Sequence, residues 1–305
     1  MAVDGNPAHG FAARPLEGGF SGETFLVEGP VGPAVLRVYG RDPQRAPVDA
    51  ALLHLVRGLV PVPTVLDLRR ADPGRPSEPA HLLMTFEGGR RLDQVLPRVG
   101  HTLRRRLAAS VTDVLVTLSG MPFLRPAMFA DAELTLSEYA APAADLVAWL
   151  DQHVASSVLG TWDPGLLRSL REVCAHADGL LDGVRRSCLV HSDFNPKNIL
   201  VDAGSGTVTA VLDWEYAHAG TPYSDLGNLL RFERGSAWAQ DVLTEFARRV
   251  PDPVPDPLRL AYAGDLWALI DLTGRPTRHQ IVEQAARLLA AIAHAGDLAA
   301  HPIEG

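Results

Sequence analysis

The stretch from Cys188 to Glu215 limits what this chain can be more than any other. Three apolar runs, Leu189–Val190, Ile199–Val201 and Val208–Leu212, have the length and β-branched content of short strands. The turn Ala203-Gly204-Ser205-Gly206 between the second and third has hairpin composition. Polar residues gather where these strands end: His191, Asp193 and Asn198 after the first, Asp213 and Glu215 after the third. That pattern suits phosphoryl transfer, which needs a carboxylate to orient and deprotonate a hydroxyl and oxygen ligands for magnesium on nucleotide phosphates. Asp193 is the candidate base, Asn198 and Asp213 are the candidate metal ligands, and His191 is the brace of the loop.

The spacing His191-x-Asp193-x-x-x-x-Asn198, followed by Leu212-Asp213-Trp214-Glu215, resembles the aminoglycoside phosphotransferase and choline-kinase-type family. These are small-molecule kinases with a protein-kinase-like fold. Asn195 stands where a protein kinase has a lysine, which argues against a protein substrate. The resemblance runs from about Leu16 to Ile270. It implies an α+β fold with two lobes: a small antiparallel-sheet lobe with one helix for the nucleotide (1–87) and a larger helical lobe for catalysis and acceptor (88–305). It also implies ATP or GTP with Mg2+, a supporting part for Lys197, and for Asp225 hydrogen bonds to the catalytic-loop backbone rather than contact with substrate.

Upstream features fit that reading. Gly18-Gly19-x-Ser21-Gly22 is a glycine turn whose amides can approach phosphates, although it departs from the kinase form G-x-G-x-x-G. The strand Ala34–Tyr39 carries Arg37 where kinases carry lysine, and the helix Val48–Val56 puts Asp49 where their glutamate would be. A longer cation and a shorter acid make a paired change; the plain alternative is a surface strand residue. His54 on this helix reads as packing. The resemblance places adenine against Met84, bonded to the main chain of Thr85 and Glu87, with Gly88-Gly89 supplying flexibility at the junction.

The remainder reads as helical. Leu103–Leu118 is amphipathic, Met121–Ala130 irregular, and Thr135-x-x-Glu138 has the capping-box form before a helix through Leu150. Asp163-Pro164 opens a helix to Leu181. His218 falls in a loop. Pro251–Pro257 is a rigid connector before a helix over 258–271, and Thr277-x-x-Gln280 opens a last helix to Ala295. Asn195, Glu215, Asp265 and Asp271 are candidate acceptor contacts, with a solvated helix face the favoured reading of Asp265 and Asp271.

Composition narrows the function classes. With 47% hydrophobic residues the chain is not wholly disordered, and no apolar run reaches the length of a membrane span. The first ten residues have no basic start and no apolar core, so no secretory signal is expected and the cytoplasm is the expected location. Cys174 and Cys188 make no metal pattern and read as buried free thiols. A net charge of -8, with Arg104-Arg105-Arg106 read as a solvated helix face, speaks against nucleic acid and suits a cationic acceptor. The expected acceptor is an antibiotic with several amines, an aminoglycoside or a tuberactinomycin-type cyclic peptide, inactivated by phosphorylation. Kinases of choline, homoserine or methylthioribose type are the alternative, followed by a silent nucleotide-binding protein. The expected state is a monomer or homodimer with no membrane partner.

Overall fold

The computed structural model describes residues 13–16, 23–29, 32–75, 77–137, 145–250, 254–276 and 280–302. Gly18, Gly19, Ser21, Gly22, Glu138, Pro251 and Thr277 lie outside the described residues. The chain divides into two compact units, Met1–Gly88 with Ala130–Thr135, and Gly89–Phe129 with Leu136–Gly305.

Among the described residues the first unit is a five-stranded antiparallel sheet with one helix. Strands β1 (Ala13–Pro15), β2 (Glu23–Gly29), β3 (Gly32–Val38), β4 (Val65–Arg69) and β5 (His81–Thr85) lie in the order β1-β2-β3-β5-β4. Helix α1 (Arg45–Val56) packs on β4 and β5 and buries Ala46, Val48, Leu52, Leu53 and Val56. It starts at Arg45 rather than Val48, because Pro47 is tolerated within a first turn. His54 points to solvent and does not pack. In the segment Ala130–Thr135 the Asp131 carboxylate accepts from the amides of Glu133 (3.1 Å) and Thr135 (3.0 Å) and from the Thr135 hydroxyl. Thr135 thus serves a local turn, and Glu138, the other half of the expected capping box, lies outside the described residues.

The second unit holds two small sheets among helices. A three-stranded sheet joins β6 (Arg90–Arg91) to the hairpin of β10 (Ile199–Asp202) and β11 (Thr207–Val211), in the order β11-β10-β6. A four-stranded sheet pairs β7 (Pro122–Phe123), β9 (Ser187–Val190), β12 (His218–Gly220) and β8 (Ala127–Met128). Met121–Ala130 is thus partly sheet rather than irregular, and His218 lies on a strand, opposite Val190 and Met128. The helices are α2 (Leu92–Val95), α3 (His101–Ser119), α4 (Leu146–Val154), α5 (Pro164–Leu181), α6 (Ser224–Leu230), α7 (Ala237–Arg249), α8 (Pro257–Leu272) and α9 (Gln280–Ala295). Side chains of Asp145, Asp163, Ser236 and Asp256 accept from first-turn amides of α4, α5, α7 and α8. Helix α3 packs on α7 and β11, and Arg104 bonds Asp241 of α7 at 2.7 Å, so the basic run is not wholly a solvated face.

Two glycines are required by close approach. Gly89 has φ of 137°, and a Cβ there would lie 2.4 Å from Thr209 Oγ1, so close approach to the β10–β11 hairpin calls for glycine. At Gly227 of α6, a Cβ would lie 2.1 Å from the Ala261 carbonyl oxygen and 2.9 Å from Asp265 Cβ, both on α8. Glycine there lets α6 and α8 pack backbone to backbone. Among the described residues no helix is long and apolar enough to cross a membrane.

Candidate active site

Strand β9 ends at Val190, and the chain then makes a loop to β10 that carries most of the predicted site. Ser192 adopts φ of 69° and Asp213, just beyond β11, adopts 66°. Left-handed backbone is unfavourable for a residue with a Cβ, so outside bonds must hold it. The Asp225 carboxylate of α6 supplies them: it accepts from the amides of His191 and Ser192, each at 2.8 Å. One turn along α6, Asn228 donates to the Ser192 carbonyl at 3.1 Å. Asp225 is buried; that burial pushes its carboxyl up from the ordinary range, while the His191 and Ser192 amides pull it back.

His191 is fully buried and ties the two halves of the site together. Its Nδ1 accepts from the Asp193 amide at 3.2 Å, so its Nε2 is the donor to the Leu212 carbonyl at 2.9 Å. The ring lies edge-on to Trp214 (4.6 Å) and Phe194 (5.9 Å). The backbone closes the same link, since the Leu212 amide donates to the Asn198 carbonyl at 2.8 Å. Asp193 and Asp213 are therefore held in fixed relation by the residue that the sequence marked only as a brace.

The half-buried Asp193 carboxylate is oriented by two amides. Asn195 Nδ2 donates to Oδ1 at 2.8 Å, and Asn198 Nδ2 donates to Oδ2 at 2.6 Å. Asn195 Oδ1 also accepts from the Lys197 amide at 2.9 Å. Both ends of the Asn195 side chain are thus engaged inside the loop. Lys197 is exposed. Asn198 uses its nitrogen on Asp193, which leaves Oδ1 for a cation. Among the described residues no three of His, Cys, Asp and Glu cluster as a metal site. An Asn oxygen with one aspartate suits magnesium, which takes few protein ligands and completes its shell with water and phosphate.

Asp265 is a correction. It is buried and receives Arg231 in a fork, with Nε at 3.0 and 2.9 Å from its two oxygens and Nη2 at 2.6 Å from Oδ1. It is neither a solvated face nor open to a substrate amine, and nothing local in the sequence announces a partner 34 residues away. Asp271 is exposed on α8, with Arg275 at 3.7 Å. Glu215 is half-buried beside Tyr216.

In the first unit, Arg37 on β3 lies opposite Leu82 of β5, its guanidinium 5.4 Å from the Tyr39 ring. Asp49 accepts from Tyr39 Oη and from Arg45 Nε, each at 2.7 Å. Burial pushes the Asp49 carboxyl up, and Arg45, Tyr39 and Arg37 pull it back. Asp49 is thus paired with Arg45, one turn before it on the same helix, with Arg37 within electrostatic reach. Met84 sits in β5 opposite Val35. The Thr85 amide donates to the Thr64 carbonyl at 2.9 Å and its hydroxyl bonds Glu87, so the Thr85 N–H is unavailable to a base.

The model of the phosphotransferase enzyme family matches residues 12–261. Solved structures share the fold at low identity. The GDP and kanamycin complex of an aminoglycoside 2″-phosphotransferase aligns with TM-score 0.69 and 18% identity over 95% of each chain. A thermostable mutant of APH(4)-Ia with AMP-PNP and hygromycin B aligns with TM-score 0.65 and 20% identity, over 95% of this chain and 96% of that one. Acyl-CoA dehydrogenase family member 10 of Mus musculus is 27% identical over 172 residues, a match that spans 55% of this chain but 15% of that protein. The fold is the protein-kinase-like α+β fold of the aminoglycoside phosphotransferases, and this chain belongs to the phosphotransferase enzyme family.

Proposed function

We propose that the chain transfers the γ-phosphate of ATP or GTP, as the magnesium complex, to a hydroxyl of a small amine-bearing molecule of the antibiotic kind, and so inactivates it. The observation that carries this is the Asp193 carboxylate, aimed by Asn195 and Asn198 and locked to Asp213 through His191. Asp193 orients the acceptor hydroxyl and takes its proton. Asn198 and Asp213 would hold the cation, which when bound neutralises phosphate charge. Arg37, Asp49 and Arg45, with the glycine turn at Gly19, Ser21 and Gly22, would serve the phosphates; Met84 and the Glu87 main chain would serve the base, and Lys197 would assist. General-base help is worth about 10²–10⁴ in rate, so most catalysis would come from positioning and charge. The kanamycin and hygromycin B complexes of the structural relatives support an amine-bearing acceptor. The loss of Asp265 to Arg231 favours a second reading, a metabolic kinase whose acceptor has fewer amines. The cytoplasm is the proposed location.

An ATP-consumption screen tests this, run against aminoglycosides, cyclic peptides, macrolides, choline, homoserine and methylthioribose. Asp193→Asn serves as the blank. A hit lost in that variant, with Mg-ATP binding kept, is the expected result. Near-normal turnover by the variant would remove Asp193 from the base role, and absent binding of both Mg-ATP and Mg-GTP would refute the kinase reading. Asp213→Ala should weaken magnesium-dependent nucleotide binding.

A further inference from the structure

We infer that Arg234 is a positioning residue for Asp193, and that the turn at 297–300, beyond α9, is through it a working part of the catalytic loop; this rests on the phosphotransferase reading above. Helix α6 has only 7 residues, too few to hold its own direction. Its axis is set by what its side chains grip. At one end Asp225 and Asn228 bond the backbone of His191 and Ser192, next to Asp193. At the other end Arg231 follows the last turn and forks onto Asp265 of α8.

Arg234 closes that far end. It is buried in the turn between α6 and α7. Its Nε donates to the Arg231 carbonyl at 3.3 Å, one of the carbonyls that a helix end leaves over. Its Nη1 donates to the Leu298 carbonyl and, at 3.0 Å, to the Ala300 carbonyl. Its guanidinium carbon lies 3.8 Å from the centroid of the Tyr262 ring. Tyr262 is one turn before Asp265, so two arginines at the end of α6 engage neighbouring positions on one face of α8.

The turn that Arg234 grips is itself well made. Gly296 ends α9 at a left-handed φ of 64°, its amide donating to the Ile292 carbonyl at 2.9 Å. Asp297 Oδ1 accepts from the Ala299 amide at 3.0 Å, and the Asp297 carbonyl accepts from the Ala300 amide at 3.1 Å. The Leu298 side chain is buried. Among the described residues Arg234 Nη2 has no partner although it is buried. A buried donor left unpaired is costly, so an apolar side chain would serve anchoring alone better. What an apolar side chain lacks is direction. The planar fork fixes the angle at which α6 meets the turn and Tyr262. Loss of that fork would let α6 pivot at Gly227, where its backbone lies against Ala261, and loosen the bonds of Asp225 and Asn228 to the catalytic loop.

The test uses the full chain. It reads hydrogen exchange at the His191 and Ser192 amides, and steady-state hydrolysis of Mg-ATP or Mg-GTP with water as the acceptor. Arg234→Met should speed that exchange about tenfold and lower kcat about tenfold, with KM for the nucleotide within about twofold of the parent. Arg234→Lys keeps a cation over Tyr262 and a donor for the carbonyls, and should recover most of both. A chain ending at Gly296 should match Arg234→Met. Leu288→Ala, a cavity in α9, is the control for lost stability alone and should leave both readings nearly unchanged. If Arg234→Met does not fold, Tyr262→Leu takes its place, with both shifts expected at about threefold. Unchanged exchange and kcat, no recovery in Arg234→Lys, or equal shifts in Leu288→Ala would each overturn the inference. The expected exchange shifts in a chain that hydrolyses neither nucleotide would uphold the hold of Arg234 on the loop and bring down the phosphotransferase reading alone.

Discussion

Replacing Asp225 by Asn probes the whole active loop with one atom. The carboxylate receives two backbone amides at 2.8 Å, and the two bonds hold Ser192 at its left-handed φ of 69°. Hydrogen bonds to a charged group are worth about 1.5–3 kcal/mol each. Asn keeps one acceptor and turns an NH2 toward the other amide, so one bond is lost and two donors face each other. Burial opposes the charge of Asp225, so removing it returns part of that loss. The net cost should be about 2 kcal/mol, about thirtyfold in the folded ratio. Asp193 lies next to Ser192, so a small misplacement should lower kcat about 10²-fold. The pH dependence carries a second signature. The native pKa of Asp225 is raised above 3.8, so its contribution to stability is complete below that value and is lost as pH rises through the native pKa. Asp225→Asn should make the fall of stability with rising pH shallower, and Asp49, also raised, should leave some of it. Urea unfolding between pH 4 and 7, with kcat at neutral pH, reads both. An unchanged midpoint and an unchanged kcat would refute the claim that Asp225 holds the loop.

Three further outcomes are expected. Gly227→Ala puts a methyl 2.1 Å from the Ala261 carbonyl oxygen, where only backbone can give way, and should cost about 3 kcal/mol in thermal unfolding. Arg231→Leu strands the buried Asp265 and should cost about 3–5 kcal/mol; adding Asp265→Leu should recover most of it, and a double variant no more stable than the single would contradict the pairing. Burial pushes the Cys174 and Cys188 thiols up to about 12. At pH 8 the native protein should not react with an aromatic disulfide reagent, and the denatured chain should release two equivalents.

Features carried by local pattern were legible in the sequence. The β10–β11 hairpin follows from two apolar runs around a glycine turn, and α5 begins at Asp163-Pro164, the pair that suggests a helix start. The four-stranded sheet around β9 was not legible, because two-residue pairings leave no periodicity. Asp265 was misjudged for a different reason. Its residue type suits a solvated face or an acceptor amine, and only the tertiary fold reveals that Arg231 has already used it.

Asp225 and Asn228 lie more than thirty residues after the backbone they hold. A left-handed residue such as Ser192 costs about 1–2 kcal/mol, so the isolated loop would relax to ordinary backbone. A nascent chain that ended just after Glu215 would contain every residue of the catalytic motif and still be inert. Synthesis must run through α6 before the loop can set, and on to α8 before Arg231 finds its counter-charge. Competence is thus a late event in the making of this protein, and a truncated product would carry the signature of a phosphotransferase without its chemistry.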